Sequence, residues 1–106
     1  MAGRRTVTWS FDCVREWVDG ESEALAGMGV RAELVVDPVE RAKKAAWVDL
    51  ESDTRLARVI FWGSGEVDLT VLDVARGVAV CEEHREVTSW QGVVNTLQDA
   101  AAWTAS

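Results

Sequence analysis

The chain has 106 residues, of which 48% are hydrophobic and 27% charged. This is ordinary globular usage in a length that can bury one core, and it argues against wholesale disorder. Its 18 acidic against 11 basic side chains leave a formal charge of -7, a poor match to a phosphate backbone and a good one to a basic partner attracted over distance.

Residues 1–8 carry Arg4 and Arg5 but no sustained pattern, and are expected to form a flexible tail ahead of a single domain. No apolar stretch follows these arginines and none nears the ~20 residues of a membrane helix, so a soluble cytoplasmic protein is expected. Ser10 is placed to cap a helix over about Ser10 to Ala26, with Asp12 in its first turn and Phe11, Val14, Val18 and Leu25 at helical spacing. Asp19-Gly20 is a point where this helix could kink, and Gly27 and Gly29 supply its stop.

From Val30 to Val36 apolar residues alternate with Arg31, Glu33 and Val35, the period-two pattern of a strand that Asp37-Pro38 ends. A basic loop, Val39 to Lys44, leads to a second strand, Ala45 to Glu51. There Ala46, Val48 and Leu50 take one side and Trp47, Asp49 and Glu51 the other. Three more apolar runs follow: Leu56 to Trp62, Glu66 to Val74 and Val78 to Glu83. Gly63-Ser64-Gly65 and Ala75-Arg76-Gly77 separate them, so they read as an antiparallel meander. Glu82 to Glu86 is polar. Thr88 and Gln91 then offer a capping box, and Trp90, Val93, Val94, Leu97 and Ala101 form a helical stripe. The fold expected is α+β: a five-stranded antiparallel sheet with an N-terminal and a C-terminal helix packed on one face.

Few groups suggest chemistry. Cys81, His84 and distant Cys13 are one ligand short of a structural metal site, and His84 has no nucleophile at a motif spacing. Gly63-Ser64-Gly65 runs into Glu66-Val67-Asp68, where a phosphate cradle would need a helix or a lysine. The acid pairs Asp49/Glu51, Glu66/Asp68 and Glu82/Glu83 fit solvated strand faces better than a glycosidase site. No catalytic residue, metal or cofactor is expected. Six tryptophans without a tyrosine are the compositional oddity. Trp17 and Trp90 read as core contacts, whereas Trp47 and Trp62 are open between core and interface.

The run WVDLES (Trp47 to Ser52), the hairpin IFWGSGEVDLTVLDV (Ile60 to Val74), the later His84, Val87, Thr88 and Ser89, and Arg15-Glu16-Trp17-Val18 in the leading helix together resemble small bacterial immunity proteins of the TriTu type. The likeness covers the chain from about Phe11 onward. It implies a protein encoded beside a polymorphic toxin, which binds and neutralises that toxin. From alternation and charge, the expected partner-binding residues are Trp47, Asp49, Glu51, Trp62, Glu66, Asp68 and Glu83 on an open sheet face, with a basic protein toxin as partner. The competing readings are a protein-binding adaptor or secretion chaperone without inhibitory activity, and a small hydrolase using His84.

Overall fold

The computed structural model describes residues 11–37 and 44–106. The expected tail, the Ser10 cap, Pro38 and residues 39–43 of the basic loop lie outside them. The elements are α1 (Phe11–Gly27), β1 (Arg31–Val36), β2 (Ala45–Glu51), β3 (Arg55–Trp62), β4 (Glu66–Asp73), β5 (Val78–Glu86) and α2 (Trp90–Ala105). The strands form one antiparallel sheet in the order β1-β2-β3-β4-β5, with both helices on the same face. This is the α+β arrangement expected from the alternation and the short connections.

Pairing register explains why one face is dry. Val48, Val59 and Leu69 stand opposite one another across β2, β3 and β4, as do Ala46, Phe61 and Val67, and Leu50, Ala57 and Val71. Directly paired residues point to the same side of a sheet. All nine are 4% exposed or less, and α1 covers them with Val14, Trp17, Val18 and Leu25 while α2 adds Val93, Leu97, Ala100 and Ala101. Each fully buried Val, Leu or Phe contributes roughly 1.5–3 kcal/mol, so this shared face holds the fold together.

Local chemistry places the ends. Helix α1 runs through Gly20 without interruption and stops after Gly27. There Gly29 takes a φ of 78°, and the amides of Met28 and Val30 donate to the Leu25 carbonyl. At the β3–β4 hairpin, Gly65 has a φ of 98°, and an added Cβ would lie 2.7 Å from the Val87 carbonyl oxygen. The Val87 amide donates to the Gly65 carbonyl at 2.8 Å, tying the hairpin to the start of α2.

Three details depart from expectation. Strand β5 continues to Glu86, because the polar run Glu82 to Glu86 completes the ladder with β4 through Thr70↔Glu82, Asp68↔His84 and Glu66↔Glu86. The cap of α2 is Ser89, whose Oγ accepts from the Gly92 amide at 3.3 Å; Gln91 instead donates to Asn95. Val36, expected on the buried side of β1, is 44% exposed, since β1 lies at the sheet edge.

Candidate functional site

With both helices on one face, the side chains of opposite parity form an uncovered second face. Register arranges them in rungs. One runs Arg31, Glu51, Leu56, Leu72, Ala79; the next Glu33, Asp49, Arg58, Thr70, Glu82; the third Val35, Trp47, Ile60, Asp68, His84. Trp62 follows on β3, and Glu66 faces Glu86 at the same end. Among the described residues, seven carboxylates therefore share this face with two guanidinium groups, Arg31 and Arg58.

Both arginines are engaged within the sheet. Arg58 forks onto Asp49 with two bonds of 2.7 and 2.9 Å, and its guanidinium lies 5.2 Å from the centre of the Trp47 ring. Such planar, bidentate pairing fixes geometry as well as charge. Arg31 reaches Glu51 at 2.9 Å, but with side chains 72% and 49% exposed this pair contributes little to stability. Its effect is on the surface potential.

A second cluster centres on Asp68. One carboxylate oxygen accepts from Trp62 Nε1 at 3.2 Å, and the other lies 2.7 Å from His84 Nδ1. The hydrogen bond to Asp68 raises the His84 pKa above the ordinary value of 6.5, and the charges of Asp68, Glu66 and Glu86 act in the same direction. From the Arg31 rung across the Arg58 rung to Ile60 the face is hollowed into a groove of ≈ 800 Å³ whose apolar lining includes Leu56, Ile60 and Leu72. Leu56 and Leu72 are each 40% exposed.

Six of the seven residues expected at a partner surface, namely Trp47, Asp49, Glu51, Trp62, Glu66 and Asp68, lie on this uncovered face. Glu83 does not. It pairs with buried Leu69, which puts it on the helix side at the sheet edge, where it accepts two bonds from Arg85 of 2.6 and 2.9 Å. Arg85 also reaches Asp99 of α2 at 2.9 Å, so Glu83 belongs to a clamp between β5 and α2. Its hydrogen bond from Arg85 holds the Glu83 carboxyl below the ordinary range.

Residues of this face that the expected partner-binding set left out include Glu33, Arg58, Glu82, His84 and Glu86, of which the sequence raises Glu82 and His84 only as part of an acid pair and as a metal ligand or base. Carrying the alternation of β2 onto its neighbours would have found the first two. Cys81 and His84 cannot share an ion, because three residues along a strand put them on opposite faces: Cys81 opposite Val71, His84 opposite Asp68. Among the described residues no group of three or more His, Cys, Asp or Glu side chains could hold a metal, and no helix is long and apolar enough to cross a membrane.

An antiparallel sheet with one face sealed by helices and the other acidic, grooved and set with tryptophan defines a small α+β protein with one open sheet face. A family model described as immunity protein TriTu matches residues 12–103, and the chain belongs to that family. A comparison with curated proteins found no match.

Proposed function

We propose that this immunity protein is a non-enzymatic inhibitor that neutralises a cognate toxin by docking its uncovered sheet face against a basic surface of that toxin. The observation that carries the reading is the charge of the face: among the described residues, seven carboxylates against two arginines, both arginines already paired within the sheet. Such a field speeds encounter with a basic partner, while half-buried Trp47 and Trp62 supply the amphipathic anchors that dominate interface energies. The toxin would be a protein rather than a nucleic acid or membrane, and its active site or a neighbouring surface would be occluded in the complex.

Coexpression with the neighbouring open reading frame tests this. The expected result is copurification of the two proteins and rescue of growth. Growth arrest despite expression of the folded chain would contradict it.

A further inference from the structure

Glu33 on β1 and Glu82 on β5 stand at opposite ends of one rung, with Asp49, Arg58 and Thr70 between them. Asp49 is occupied by Arg58, whereas Glu33 and Glu82 are exposed and hold no cation among the described residues. Four strand spacings separate their backbones, about 19 Å. Within that span the groove runs from β1 to β4, where Glu33, Leu56, Arg58, Ile60, Thr70 and Leu72 are among its lining, and Glu82 stands one strand beyond it, opposite Thr70. An α-helix with its side chains is about 10–12 Å across, which leaves a gap on each flank that a lysine or arginine stem can bridge along apolar surface.

Resting on the docking of a toxin at this face, we propose that the groove receives a helix of the toxin whose apolar stripe is flanked on both sides by lysine or arginine. The helix lies along the strands. Its stripe covers Leu56, Ile60 and Leu72, and its flanking cations meet Glu33 on one side and Glu82 on the other. This is helix-in-groove recognition with charge complementarity at the Glu33 wall and, on the other flank, at the next strand outward.

Ile60 is the sole isoleucine of the sequence, so its Cδ1 methyl is an unambiguous reporter in the groove. The probe is a designed peptide of about four helical turns, leucine along one stripe and lysine on both flanks, compared with a twin carrying glutamate for every lysine. Titrated into the full chain labelled at Ile and Leu methyls, the lysine peptide is expected to shift Ile60, Leu56 and Leu72 saturably while the buried Leu50, Leu69 and Leu97 stay put. The glutamate twin, and the lysine peptide against the Glu33→Lys/Glu82→Lys variant, are each expected to bind at least about tenfold more weakly. An unmoved Ile60, equal binding of the twin, or no loss in the double variant would overturn the proposal. Each of these failures leaves toxin neutralisation through another surface standing, since growth rescue on coexpression reads that separately.

Discussion

Asp68 holds Trp62 with one oxygen and His84 with the other, so one strand residue orders two others on the uncovered face. Because the hydrogen bond to Asp68 raises the folded-state pKa of His84, the stabilisation it brings is fully present below the unfolded histidine value and is lost as pH rises through the raised folded value. An NMR titration should therefore place the His84 midpoint above 6.5, and Asp68→Asn should lower it; an unchanged midpoint would remove the Asp68 bond as cause. Gly65 gives a second residue-scale test. With a φ of 98° and the Val87 carbonyl oxygen 2.7 Å from where a methyl group would sit, Gly65→Ala is expected to destabilise by more than about 1 kcal/mol in urea unfolding. The side of Trp47 was legible from alternation with Ala46, Val48 and Leu50, and the structure puts it on the uncovered face beneath Arg58. That of Glu83 was not, because Val78 to Glu83 has no alternation of its own. Its parity comes from pairing with β4, where the register shifts between Val71 and Leu72.

At the scale of elements, the apolar stripes of both helices and the glycine turns of the meander were readable because burial and turn geometry each leave a local signature. The second half of β5 was not. Its residues Glu82 to Glu86 are held by backbone pairing and by the Glu83–Arg85–Asp99 ion pairs, neither of which shows in hydropathy. Helix α2 seals the centre of the sheet, so deletion from Thr88 onward should uncover the apolar face and give an insoluble or dye-binding product. A soluble truncation with a cooperative melt would show that the sheet core is closed by other means. The Ser89 cap is a milder probe: Ser89→Ala should cost about 1 kcal/mol in thermal or urea unfolding. On β5, burial raises the pKa of the Cys81 thiol and the charge of Glu83 adds to it. It should react slowly with thiol reagents at neutral pH.

Over the whole molecule, the acidic balance of the composition pointed to a basic partner but did not say where the charge sits. That depends on register, which gathers carboxylates from β1, β2, β4 and β5 on the face that the helices leave open. The groove was likewise invisible in the sequence, since it is made by side chains from neighbouring strands. The central claim is that this face receives the toxin, and the most direct measurement is the association rate with the purified toxin as a function of salt. Asp68 is unsuited to charge reversal because it also orders Trp62 and His84, so the variant of choice is Glu66→Lys/Glu86→Lys. Docking at this face predicts association slowed roughly tenfold at low salt, a shallower salt dependence and a dissociation rate close to that of the parent. Parental association rates at every salt concentration, in a variant with an unchanged circular dichroism spectrum, would contradict it.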